Sequence, residues 1–227
     1  MIKLEHTDVY GFEAAIRGMR NPLNSWDKSD SCELDCRLFP CGECAFEQLC
    51  EKGYPRAYEV GEKDLALMRK LAHAGDDHGK FARFINVTVD VTAPTYWWLE
   101  FDTYKIGTVA NSCSKMHKIH EKEFSVDDFS REHLDKYPIE LLSETIRVLN
   151  VARREFLETK DKKYWWYLIQ LLPMSYNQRR TVQLNYQVLN RIYHARKNHK
   201  LDEWHVFCAW VEKLPYFKAV YLGGEDD

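Results

Sequence analysis

The sequence predicts an α+β fold, and three observations predict it. Residues 84–92, "FINVTVDVT", alternate apolar and polar side chains with period two, the signature of a half-buried strand. From Ile139 to the C-terminus, apolar residues recur instead at helical spacing. The chain is 227 residues long, enough for one large domain with its own core, and it carries no internal repeat or low-complexity run. Strands early and helices late define the class, and residues 1–227 are expected to form a single domain with a Cys-rich insertion at about 30–55.

Taken in order, residues 2–5, "IKLE", alternate like a short strand, and Thr7 or Asp8 can cap a helix on which Phe12, Ala15, Ile16 and Met19 form the buried stripe. Arg17 and Arg20, three apart, are expected on one face of it, within reach of a phosphate. "NPLNSWDKSDS" is rich in turn formers and leads into the cysteine segment 32–50 and the Gly-Tyr-Pro break at 53–55. Leu65, Met68, Leu71 and Ala72 give the next helix, 62–74, closed by Gly75 as C-cap. After strand 84–92, Ala93-Pro94 interrupts, and "TYWWLEFDTYK" is compatible with an aromatic helix. Leu142, Ile146, Leu149 and Phe156 then share one helix face, followed by expected helices at 164–172, 177–197 and 202–214.

A net charge of −3 gives no field for drawing the molecule onto nucleic acid, so an anion must be held by local cations, as a phosphate monoester can be. No window approaches the ~18 apolar residues of a spanning helix, and the first residues lack the pattern of a secretory signal; no nucleic-acid or membrane partner and a cytoplasmic location are expected. The aromatic share, 14% with seven tryptophans, suits flat-ligand stacking or extensive helix packing. In a cytoplasmic setting most cysteines are thiols, so five of the seven gathered at Cys32, Cys36, Cys41, Cys44 and Cys50 point to metal or redox chemistry. Four of these five could close a tetrahedral zinc site or hold an iron–sulfur cluster; zinc is favoured, in a structural role, stapling a segment too small for a core of its own.

The order strand, Ala-Pro, aromatic helix, small-polar loop "KIGTVANSCSK", then Leu-Pro and "MSYNQRRTVQLNYQVLNRIYHAR" with a following Trp204 resembles the flavin-dependent thymidylate synthases. The resemblance spans most of the chain. It implies the thymidylate synthase-complementing-protein-like fold: a short antiparallel sheet with a helical C-terminal half. It also implies methylation of dUMP to dTMP with methylenetetrahydrofolate and NADPH on bound FAD, in a homotetramer whose active sites lie between subunits. The family pattern Arg-His-Arg-x-x-Ser-x-Asn-x-x-Ser-x-Arg-Tyr falls, without a gap, on Thr103, Tyr104, Lys105, Thr108, Ala110, Cys113, Lys115 and Met116; the match is chemical at Lys105, Thr108, Cys113 and Lys115, absent at Thr103, Ala110 and Met116, and identical nowhere. By the same register His78 sits where the family has its histidine before the strand, Asn185 where an asparagine faces flavin, and Arg196 where an arginine grips the uracil ring.

The chemistry asked of these residues is specific. Methylating uracil at carbon 5 builds negative charge on the ring oxygens, which a planar guanidinium stabilises, the catalytic and substrate-binding role implied for Arg196. Lys115, beside Ser114, can hold phosphate as a point charge, and Lys105 can do the same for the cofactor. Tyr104 can stack on a flavin or base, and His78 and Asn185 complete the cofactor set. Cys113 takes a family serine position that binds substrate; flavin-free thymidylate synthesis uses a thiolate at carbon 6, so Cys113 is also a candidate nucleophile. Two further readings follow from the altered motif: a nucleotide-binding homologue without methylation, and an enzyme acting on another pyrimidine nucleotide.

Overall fold

A computed structural model describes residues 1–34, Phe46 and 57–223. The elements are β1 (Lys3–Tyr10), α1 (Phe12–Arg20), β2 (Cys32–Leu34), β3 (Ala57–Glu59), α2 (Glu62–His73), β4 (Asn86–Pro94), α3 (Thr95–Phe101), β5 (Val109–Ser112), α4 (Lys115–Lys118), α5 (Lys136–Thr159), α6 (Lys162–Leu171), β6 (Asn177–Asn185), α7 (Tyr186–Arg196), α8 (Asp202–Val211) and α9 (Phe217–Tyr221). A four-stranded sheet has the order β1-β4-β6-β5, and β2 pairs antiparallel with β3 in a separate ribbon, Cys32 opposite Glu59. This is the mixed fold of short sheet and many helices that the sequence predicts.

Two compact units can be distinguished. One comprises residues 1–3, 90–103 and 110–181; the other comprises residues 4–89, 104–109 and 182–227.

The first unit is built on the α5–α6 hairpin. Leu142, Ile146, Leu149 and Ala152 of α5 and Leu168 of α6 bury one stripe against Ile119, Phe124 and Phe129, as the spacing requires. Lys160 turns the chain at φ 58°, and Asp161 caps α6 by accepting from the Lys163 amide at 2.9 Å. Trp97, Trp98 and Phe101 of α3 are buried in ring contacts with one another.

In the second unit Phe12 is ringed by Phe46, Tyr58, Tyr186 and Tyr216, with centroids 5.4–6.5 Å apart. Edge-on and stacked aromatic pairs of this kind add to the area they bury. Most of the aromatic excess is therefore core. The β1 strand is longer than the alternation of residues 2–5 suggests, so Thr7 and Asp8 lie within it and Gly11 takes the N-cap position of α1; Thr7 Oγ1 accepts from the Trp210 indole at 3.0 Å. The turn into α1 is made by Gly11 at φ 101°, where a Cβ would stand 2.0 Å from the Phe84 carbonyl oxygen.

Arg17 and Arg20 do not form one exposed pair. Arg17 is solvent-facing beside Glu13, whereas Arg20 is buried, its Nε 2.6 Å from Asp64 and its Nη atoms on the Ser25 and Lys28 carbonyls. A helix face three residues wide straddles the boundary between core and solvent, which spacing alone does not locate. The α2 helix ends before Gly75 at φ 106°, as expected. The amides of Lys63 and Asp64 at its start are capped by the distant Asp30 carboxylate at 3.0 and 3.1 Å. Strand β4 alternates as read: Val87, Val89, Val91 and Ala93 buried, Asn86, Thr88, Asp90 and Thr92 half-buried.

The segment 177–197, expected as one helix, divides. Asn177–Asn185 is a strand lying inside the four-stranded sheet, and the helix begins at Tyr186. Pairing on both edges outweighs the helix-compatible composition of this stretch.

Candidate functional site

In the second unit, α7 carries Arg196 at its last turn, where the helix dipole favours a cation. Its Nε donates to the Tyr104 hydroxyl at 2.8 Å, although the two residues are 92 apart in sequence. The guanidinium carbon lies 4.8 Å from the Trp204 ring centroid and 5.5 Å from that of Tyr104, and the two rings meet edge-on at 6.3 Å. Trp204 is fully buried, and His199 packs against its ring. A guanidinium packed against two adjoining aromatic rings and hydrogen-bonded to the hydroxyl of one has lost much of its rotamer freedom in advance.

Asn185 is not mid-helix. It is the N-cap of α7, its Oδ1 accepting from the Val188 amide at 3.0 Å. Its side-chain nitrogen faces the turn 104–108: a Cβ on Gly107, at φ 76°, would come within 3.1 Å of Asn185 Nδ2 and 2.9 Å of Val188 Cγ2. The Thr108 hydroxyl closes this turn on the Tyr104 carbonyl. Lys105 is exposed and makes no ion pair among the described residues.

His78 is exposed and does not join Arg196. It lines a cavity of about 700 Å³ within the second unit, together with Leu23, Leu71, Phe84, Lys80 and Arg83. Behind the rim, Arg83 is bonded to Gln187, whose side-chain amide donates to the Asp76 carbonyl and carboxylate at 3.4 and 3.3 Å, and Arg191 pairs with Asp76. The hydrogen bond from Arg191 holds the Asp76 carboxyl below its ordinary value.

The first unit holds the other candidates. Cys113 is exposed; its amide donates to the Arg179 carbonyl at 3.2 Å and its carbonyl accepts from Gln178 Nε2 at 2.8 Å. Ser114 is the N-cap of α4 through the His117 amide at 3.1 Å, so its hydroxyl already has a structural partner. Lys115 is half-buried, with Nζ 3.3 Å from Thr95 Oγ1. Burial, and next the charge of Arg180, hold its ammonium below the usual lysine range. Thr103 is tied to the Glu100 carbonyl at 2.7 Å and the Met116 carbonyl accepts from Trp165 at 3.0 Å, so these two motif positions serve the local fold.

Arg180, which helical reading of 177–197 conceals, is central to this cluster. Nη1 donates to Asp102 at 2.7 Å, Nε to Gln178 Oε1 at 3.2 Å, and its carbon lies 4.1 Å above the Trp98 ring. Read with period two, Arg180 falls on the face of Val182 and Leu184, and a charge on an apolar face was the signal available.

Of the proposed metal ligands, Cys32 is an exposed free thiol at the start of β2, whereas Cys36, Cys41, Cys44 and Cys50 lie outside the described residues. Among the described residues no group of three or more His, Cys, Asp or Glu side chains could hold a metal ion. None of the described helices is long and apolar enough to cross a membrane.

No protein-family model matches the chain, and no curated protein is similar to it by sequence. Solved structures are similar. Two crystal structures of the flavin-dependent thymidylate synthase ThyX from Helicobacter pylori, each with FAD and dUMP, match with a TM-score of 0.63, cover 97% of this chain and 97% of theirs, and are 15% and 14% identical. At that identity the likeness concerns architecture: the chain has the fold of the flavin-dependent thymidylate synthases over nearly its whole length.

Proposed function

We propose that this chain is a flavin-dependent thymidylate synthase-like enzyme, methylating dUMP to dTMP with methylenetetrahydrofolate and NADPH on FAD, as a cytoplasmic homotetramer. The observation that carries the reading is the clamp on Arg196. The register of the resemblance selects Tyr104, Arg196 and Trp204 from distant parts of the sequence, and all three meet at one guanidinium. Arg196 would offer its fork to the uracil carbonyl oxygens, where negative charge grows as carbon 5 becomes nucleophilic. Tyr104 orients that fork. In the first unit, taken by itself, Lys115, with Cys113 and Ser114 beside it, is assigned to a nucleotide phosphate.

The second unit's cavity suits a flavin chemically: Leu23, Leu71 and Phe84 provide apolar wall for a flat ring, Lys80 and Arg83 provide cations for an anionic tail, and His78 adds a polar ring edge. His78, Tyr104, Lys105 and Asn185 are the residues we assign to the cofactor; Asn185 would use its amide nitrogen, since its oxygen caps α7. Bound FAD would supply the reducing step of the methylation. A structural zinc held by four of the five clustered cysteines belongs to the same proposal.

A second reading, a nucleotide-binding homologue without methylation, is favoured by one feature: in place of the family's Arg-His-Arg the chain has Thr103, spent on the Glu100 carbonyl, and an exposed Lys105. The test supplies dUMP, methylenetetrahydrofolate, NADPH and FAD and measures dTMP. Slow conversion is expected, because each missing charge-assisted hydrogen bond costs ~1.5–3 kcal/mol. Binding of dUMP with no conversion would replace the first reading by the second. Conversion of a different pyrimidine nucleotide instead would move the substrate assignment.

A further inference from the structure

We propose that Arg180 and Lys115, the latter anchored on Thr95, form an oxyanion site for a phosphate monoester, built on the Trp98 ring and poised by Asp102. The inference rests on the reading of Lys115 as a phosphate ligand. What it adds is that the second cation, absent from positions 103–116, is supplied by strand β6.

The guanidinium of Arg180 is fixed on three sides. Trp98 lies under its face at 4.1 Å, Asp102 takes Nη1 at 2.7 Å and Gln178 takes Nε at 3.2 Å. Gln178 is itself immobilised, because its side-chain nitrogen is held by the Cys113 carbonyl at 2.8 Å and its carbonyl accepts the Trp98 indole at 2.9 Å. Nη2 makes no hydrogen bond among the described residues, so a preoriented donor edge remains although the side chain is only 14% exposed. Lys115 contributes ammonium donors from a half-buried position and has no carboxylate in ion-pair range among the described residues.

Charge accounting gives the ligand class. Two cations share one carboxylate, Asp102, which leaves the group one positive charge in excess. A purely structural arginine would be satisfied by Asp102 and Gln178; placing a desolvated lysine near it is unfavourable unless an anion joins them. A phosphate monoester fits, since its several oxygens can accept from a guanidinium edge and an ammonium together, while the Thr95 hydroxyl, which donates to the Tyr176 carbonyl at 3.2 Å, accepts from Lys115 and holds that ammonium in place.

The experiment is calorimetric titration of dUMP, deoxyuridine and inorganic phosphate into the full-length protein and its Lys115→Gln, Arg180→Gln and Asp102→Asn variants, with folding checked by circular dichroism. Lys115→Gln and Arg180→Gln should each weaken dUMP about 10- to 100-fold while leaving deoxyuridine unchanged. Asp102→Asn, which leaves both cations in place, should tighten phosphate several-fold. Variants that bind dUMP like the parent would overturn the anion site and leave the synthase reading standing, and so would equal losses for dUMP and deoxyuridine. If the parent binds no dUMP, the uridylate reading fails; phosphate binding that both cation variants abolish would still support the site, and its absence would overturn it.

Discussion

Replacing Asp64 by asparagine should be among the most destabilising single changes in this protein. The carboxylate is fully buried against Arg20, whose side chain is 5% exposed, at 2.6 Å from Nε. Its other oxygen accepts from the Ser29 and Ser31 hydroxyls at 2.7 Å each and from the Asp30 amide at 3.1 Å. Asparagine keeps the shape but leaves a buried guanidinium without a counter-charge and replaces one acceptor by a donor facing other donors. Removing one partner of a buried pair costs about 3–5 kcal/mol, against a total stability of order 5–15 kcal/mol. With a urea dependence of about 2–3 kcal/mol/M, the midpoint should fall by about 1–2.5 M. Arg20→Met combined with Asp64→Leu should recover most of the loss, because the apolar pair carries no desolvation penalty. The pH profile gives an independent check. Burial works to raise the Asp64 carboxyl, but the hydrogen bonds from Ser31, Ser29, Arg20 and the Asp30 amide outweigh it and hold the group below its ordinary value. A carboxyl depressed in the folded state contributes stability that is fully present above the unfolded value, about pH 4, and is lost as pH falls through the lower folded value. The Asp64→Asn variant should therefore lack that part of the acid-induced decline. A loss below about 1 kcal/mol, with an unchanged acid limb, would refute the account of this pair.

Arg196→Lys should reduce dTMP formation by about 10²- to 10³-fold without altering the fold, since lysine keeps the charge but not the planar fork; parental rates would reduce Arg196 to a helix-end residue. Gly107→Ala should weaken FAD binding, followed by flavin fluorescence, because its methyl group would displace Asn185 and Val188 and its φ of 76° disfavours a side chain; unchanged affinity would separate Asn185 from the cofactor. Protein prepared without an affinity tag should carry zinc at about one ion per chain by elemental analysis, and metal-free protein with reactive thiols throughout the 32–50 segment would remove that site.

Much of this chain was legible as a sequence wherever one periodicity ran uninterrupted. The valines of β4, the Leu142-Ile146-Leu149 stripe of α5 and the Gly75 stop each follow from a local rule that the tertiary structure has no reason to contradict. Motif register, carried by the family resemblance, selected Tyr104 and Arg196, which the structure brings to one hydrogen bond. What could not be read locally was any element whose state depends on a partner. Residues 177–185 are helix-compatible in composition, and only two neighbouring strands make them β6. That change of state turns Arg180 from one of a run of polar helix residues into a guanidinium laid on Trp98, 82 positions earlier in the chain, and moves Asn185 from helix interior to N-cap. Burial sorted Arg20 from Arg17 in the same way. Periodicity thus determined, from the sequence alone, which segments have an apolar face and where helices stop, because those depend on a few consecutive side chains. Only the tertiary structure decided which charges are buried, paired or left open, because a charge's energy is set by groups that the chain brings to it from far away.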